Sequence, residues 1–145
     1  MFAEVFGLCG VAEGDTCAVL SETQTRPELP QLAELALLRL GARVFHLVLP
    51  ARPLAAPVPV RSTGASDAIG GLVPVVQALA GCRFIADCTV EGLMHARELP
   101  QILASGARGL YISHEHPETL ERCLPRAEDE APVREAMRRL KAARE

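Results

Sequence analysis

His95, with Glu91 four positions before it, is the pair in this 145-residue chain best suited to moving a proton. A neutral imidazole accepts a proton near neutral pH, which makes His the commonest general base. Glu91 would orient that ring or stabilise its charged form. The alternative is a histidine that merely sits at a helix entrance. A second group is Ser113-His114-Glu115-His116. His-x-His can bind a metal, but two ligands are too few for a closed site. The same residues also suit a polar turn before Pro117. A third group is Arg61-Ser62-Thr63-Gly64, whose hydroxyls and N–H groups can face an anion at a helix start. Plain helix capping explains it as well. The candidate set is therefore His95 and Glu91 as catalytic residues and Ser62, Thr63, Ser113 and His114 as substrate-binding residues. No metal ligand is assigned. Ser21, Glu22 and Thr23 are weaker candidates at a strand end. The chain holds no Walker motif, no Gly-x-Gly-x-x-Gly fingerprint and no Gly-x-Ser-x-Gly elbow.

These residues need elements to position them. Short apolar runs predict strands over 16–20, 44–49, 84–88 and 110–113. A helix is expected over 2–11. Another starts at Pro27 or Pro30, carries Leu32, Leu35, Ala36 and Leu40, and ends at a left-handed Gly41. Pro53, Pro57 and Pro59, with Pro50 at the edge, make residues 51–60 an extended connection. Ser62 to Asp67 can cap a helix running to Ala80, made irregular by Gly70, Gly71 and Pro74. Pro100 opens a helix that ends at Ser105-Gly106. Pro117 to Leu124 is a short helix. Pro132 opens the last one, with Val133, Ala136, Met137 and Leu140 on one face. Strand and helix alternate, so the fold class is α/β: a three-layer, Rossmann-like domain with a mostly parallel sheet of four or five strands. Such sheets place ligands at the carboxyl ends of their strands, where His95 should sit.

Composition narrows the function classes. Hydrophobic residues make up 49% and charged ones 23%, which fits a globular domain. A net charge of −3 and 3% aromatic residues, with no Trp, argue against a nucleic-acid surface. No apolar run reaches the length of a membrane helix, and the opening Met-Phe-Ala-Glu-Val-Phe has no basic n-region, so no signal peptide is expected. A cytoplasmic location is expected. The five cysteines show no Cys-x-x-Cys motif and read as buried, reduced thiols. The last helix meets no Gly, Asn or Pro before Glu145, as in a chain that continues into a longer protein.

Several segments together resemble one family. They are Ala18-Val19-Leu20-Ser21, Arg39-Leu40-Gly41-Ala42-Arg43-Val44, Leu47-Val48-Leu49-Pro50, the block from Leu93-Met94-His95 to Gln101-Ile102-Leu103, and Glu118-Thr119-Leu120-Glu121-Arg122 with Leu124-Pro125. They resemble the N-terminal part of the 2,5-dihydroxypyridine 5,6-dioxygenases, which are related in fold to the M29 leucyl aminopeptidases (aminopeptidase T). The resemblance implies a parent enzyme in which a mononuclear Fe(II) opens a hydroxypyridine ring with O₂. It makes His95 the match of an acid–base His and places the iron ligands in a C-terminal domain with no counterpart in these residues. It implies that this chain binds no metal and does not turn over substrate alone. The expected partners are a small-molecule substrate and further copies of the chain in a homo-oligomer. Two readings stand beside this one: the same domain of an M29-type peptidase, and a non-catalytic binding or assembly module.

Overall fold

The computed structural model describes residues 1–50, 69–90, 92–113, 115–124 and 127–143. Four strands form one parallel sheet in the order β2-β1-β3-β4: β1 (Thr16–Glu22), β2 (Arg43–Leu49), β3 (Phe84–Asp87) and β4 (Arg108–Tyr111). Six helices accompany them among the described residues: α1 (Phe2–Leu8), α2 (Glu28–Arg39), α3 (Val73–Ala80), α4 (Leu99–Ala104), α5 (Pro117–Arg122) and α6 (Glu130–Ala142).

β1 is the centre of the sheet. Cys17, Ala18, Val19 and Leu20 are all 0% exposed. Strands flank it on both edges and helices cover both faces, so its sequence is an unbroken apolar run rather than an alternating one. Side chains still alternate between the two faces. Cys17, Val19, Phe84 and Ala86 pack with Phe2 and Phe6 of α1 and Leu29, Ala33 and Leu37 of α2. The rings of Phe6 and Phe84 meet at 5.1 Å between centroids. Ala18, Leu20 and Ile85 pack instead with Val76 and Leu79 of α3 and Ile102 of α4. Helix, sheet and helix make the three layers expected.

Local chemistry sets where the elements stop. Gly41 has φ +78° and closes α2, with the N–H of Ala42 donating to the Leu37 carbonyl at 3.1 Å. α1 is shorter than expected and ends at Leu8 rather than 11, because the same type of cap forms there: the N–H of Val11 donates to the Phe6 carbonyl at 3.1 Å. β4 covers 108–111 rather than 110–113. It is an edge strand whose first residues, Arg108 and Gly109, are exposed, so the apolar pattern marks only its later part. α6 starts at Glu130, two residues before Pro132, since Pro is tolerated in a first helical turn. Its apolar residues Val133, Met137 and Leu140 are exposed rather than covered by a described element. α3 begins at Val73, with Pro74 in its first turn, and residues 69–72 form a turn rather than the expected irregular helix, because Gly71 takes φ +75°. The expected helix start at 62–67 and the proline-rich stretch 51–60 lie outside the described residues.

From β1 the chain lays β2 on one side and then crosses back to lay β3 on the other. The switch point between β1 and β3 is where parallel sheets of this kind open a ligand crevice.

Candidate active site at the strand ends

The carboxyl ends of the strands are stitched together by their own backbones. The N–H of Thr23, just past β1, donates to the Leu49 carbonyl at the end of β2 at 3.0 Å. The Cys88 N–H donates to Leu20 at 2.8 Å, and the Ile112 N–H to Asp87 at 2.7 Å. Thr25 bridges the switch point itself. Its hydroxyl oxygen accepts from the Glu22 N–H at 2.8 Å and the hydroxyl donates to the Cys88 carbonyl at 3.0 Å.

The loop after β3 is built on one carboxylate. Asp87 is 3% exposed, on the α3–α4 side of the sheet. Its Oδ1 accepts from the Thr89 N–H at 3.1 Å and the Thr89 hydroxyl at 2.6 Å. Its Oδ2 accepts from the Leu93 N–H at 2.6 Å. The Thr89 hydroxyl oxygen accepts in turn from the Gly92 N–H at 3.0 Å. Burial pushes the Asp87 carboxyl above the usual carboxylate value, and the three donors pull against that rise. Tyr111, the register partner of Asp87 on β4, braces the loop from the side. Its hydroxyl donates to the Val90 carbonyl at 2.8 Å. Its ring lies so close to Gly92 that a Cβ there would come within 2.8 Å of Cδ2, and Gly92 has φ +73°. A 3₁₀ turn, Leu93–His95, follows, with Leu93 buried before it closes and Ala96 buried after it.

His95 is thus the last residue of a turn fixed at the carboxyl end of β3. The description of His95 covers its backbone. Ser113 lies half-buried just past β4, its carbonyl accepting from the Glu115 N–H at 2.7 Å. Glu91, Ser62, Thr63 and His114 lie outside the described residues. His116 caps α5, its Nδ1 accepting from the Glu118 N–H at 3.4 Å, which fits the polar-turn reading for that residue. An open cleft of about 460 Å³ lies between the starts of α2 and α5, lined by Arg26, Gln31, Leu32, Leu35 and His116 among others.

Asp87, Thr89, Thr25 and Tyr111 were not among the site candidates. The available signal was the Asp-Cys-Thr order directly after an apolar strand, because Asp and Thr side chains capture nearby backbone N–H groups. Burial raises the Cys88 thiol to about 12, with the Asp87 charge adding to the effect. Burial likewise pushes Cys17 and Cys82 to about 11. Such thiols stay protonated and are poor nucleophiles. The described residues bring no three His, Cys, Asp or Glu side chains together as a metal site. Both Asp87 oxygens already serve the loop. The described residues therefore do not fit an Fe(II) ligand set.

Comparison with known proteins adds three findings. The family model for NicX, 2,5-dihydroxypyridine 5,6-dioxygenase, matches residues 1–145. A 2,5-dihydroxypyridine 5,6-dioxygenase of Pseudomonas putida KT2440 is 33% identical over 146 residues, which take in 99% of this chain and 41% of that enzyme. The solved structure of the 2,5-dihydroxypyridine dioxygenase from P. putida KT2440 aligns with a TM-score of 0.78 and 31% identity, covering 89% of this chain and 37% of that one.

Proposed function

Because the chain belongs to the 2,5-dihydroxypyridine 5,6-dioxygenase family, we propose that it forms the acid–base side of a ring-cleaving site, with His95 as the proton-transfer group. The substrate class is a hydroxylated pyridine. His95 takes the proton of a ring hydroxyl, which leaves the ring richer in electrons and readier to react with oxygen. It then returns a proton to an oxygen of the opened ring. Imidazole is the side chain type that can both accept and return a proton near neutral pH. The Fe(II) of the family would be held on polypeptide outside the region matched here, and no step is routed through it.

The observation that carries this reading is the bond from the Leu93 N–H to Asp87 Oδ2 at 2.6 Å, which ties the turn ending in His95 to the carboxyl end of β3. That edge lies beside the switch point of the sheet.

The test is a chimera in which residues 1–145 replace the matched part of the P. putida enzyme. Loss of 2,5-dihydroxypyridine and O₂ uptake are followed after loading with Fe(II). Turnover is expected, and His95→Ala should lower kcat by about 10²–10⁴-fold with iron content unchanged. Near-normal kcat in His95→Ala would reject the acid–base role. A folded, iron-loaded chimera without turnover would favour a non-catalytic module.

A further inference from the structure

No substrate-binding role falls to Asp87, yet its carboxylate accepts three hydrogen bonds at this edge. Every bond its carboxylate makes is accepted, and every donor belongs to the loop that leads to His95. Oδ1 takes the N–H and the hydroxyl of Thr89, and Oδ2 takes the N–H of Leu93. The Thr89 hydroxyl passes the constraint on to the Gly92 N–H. Both ends of the loop are therefore anchored to one side chain, itself seated in the strand next to β1.

The chemistry of the three donors restricts what can stand there. An asparagine has the same shape, but one of its two ends is an NH₂ donor. Turned one way, that NH₂ faces the Leu93 N–H. Turned the other way, it faces the Thr89 N–H. Neither orientation satisfies both backbone groups, and a buried N–H left without an acceptor is costly. Only a group that accepts at both ends fits, and among the side chains of this length that is the ionised carboxylate.

We infer that Asp87, acting through Thr89 and the Leu93 N–H, is a positioning residue that fixes the turn carrying His95. The inference rests on the proposed role of His95 for its functional meaning. Its structural content stands apart from that role. Asp87 acts by setting where the backbone turn 93–95 is held. The bracing by Tyr111 at Val90 is a second, weaker support for the same loop.

The experiment uses the 145-residue chain and NMR. The readouts are the nuclear Overhauser contacts and relaxation of the His95 ring, and amide exchange at Thr89, Gly92 and Leu93. Asp87→Asn and Thr89→Val each break the acceptor scheme, and Thr89→Ser keeps the hydroxyl. In both breaking variants, amide exchange at Gly92 and Leu93 should rise by about tenfold or more. The nuclear Overhauser pattern of the His95 ring should change, while amides of β1 and β3 keep their wild-type exchange. Thr89→Ser should restore the wild-type pattern. Thr89→Val, being isosteric, decides the matter if Asp87→Asn does not fold. A lowered melting temperature with unchanged ring contacts and unchanged loop exchange would overturn the inference and leave Asp87 a purely structural residue. Unaltered turnover in the His95→Ala chimera would sink the acid–base reading and leave this result standing, because the latch is read from ring and amide signals.

Discussion

The Thr25 hydroxyl and the Cys88 carbonyl are 3.0 Å apart although 63 positions separate them in the chain. This contact joins the loop after β1 to the end of β3 across the switch point. Thr25→Val keeps the volume but removes both the donor to Cys88 and the acceptor for the Glu22 N–H. It should cost about 0.5–1.5 kcal/mol in urea unfolding, the usual net worth of a hydrogen bond, since both bonds are part-buried. Thr25→Ser should stay close to wild type. Equal midpoints for the Val and Ser variants would mean that the bridge contributes nothing.

Gly92 combines φ +73° and ψ 156° with a tyrosine ring against its Cα. This backbone region belongs almost wholly to glycine, and occupying it with another residue costs about 1–3 kcal/mol. Gly92→Ala should lower the melting temperature for two reasons, strain and the clash with Tyr111. Adding Tyr111→Ala should relieve the clash alone. A double-mutant cycle that shows no coupling between the two positions would contradict the contact.

The thiols give a prediction in pH. Cys17, Cys82 and Cys88 are buried, whereas Cys123 is exposed. At pH 8 a thiol with a pKa near 11 is thiolate in only about one molecule in a thousand. A thiol reagent should modify Cys123 readily in the native chain and reach those three only after unfolding. The folded pKa values of about 11 and 12 lie above the ordinary 9.0. Above pH 9 the unfolded chain therefore releases thiol protons that the folded chain still holds. Stability should fall as pH rises through that window, and Cys88→Ala should weaken the fall. Rapid modification of more than two thiols in the native chain would contradict the burial.

Iron gives a further test. Asp87 is committed to its loop, and the described residues assemble no ligand triad. The 145-residue chain, loaded with Fe(II) and desalted, should retain no stoichiometric metal. Retention that disappears in a His114→Ala, His116→Ala double variant would put a ligand pair after β4 instead.

The sheet is legible because β1 and β3 are covered on both faces, so burial is written as unbroken apolar runs at 17–20 and 84–86. β4 was placed two residues late because an edge strand buries little, and Arg108 carries no apolar signal. Gly41 was readable as a cap because α2 is long and amphipathic before it. The similar cap at Gly10 was missed because the apolar spacing of α1 runs on to Val11. At the site, His95 stood out through its chemistry and through family resemblance. Asp87 did not, because its importance lies in donors that come together only when the loop folds back: the Leu93 N–H is six positions away. A residue type suggests what a side chain can do, but not that three N–H and O–H groups will converge on it.

Tyr111 is the only tyrosine in a chain without tryptophan. Its ring rests on Gly92 and its hydroxyl is bonded to Val90. Nearly all of the near-ultraviolet fluorescence of the protein therefore originates at the loop that leads to His95. The chain carries a built-in optical reporter at its candidate site. Loosening of that loop, whether by ligand, temperature or substitution, can be followed in the unlabelled protein by tyrosine emission alone.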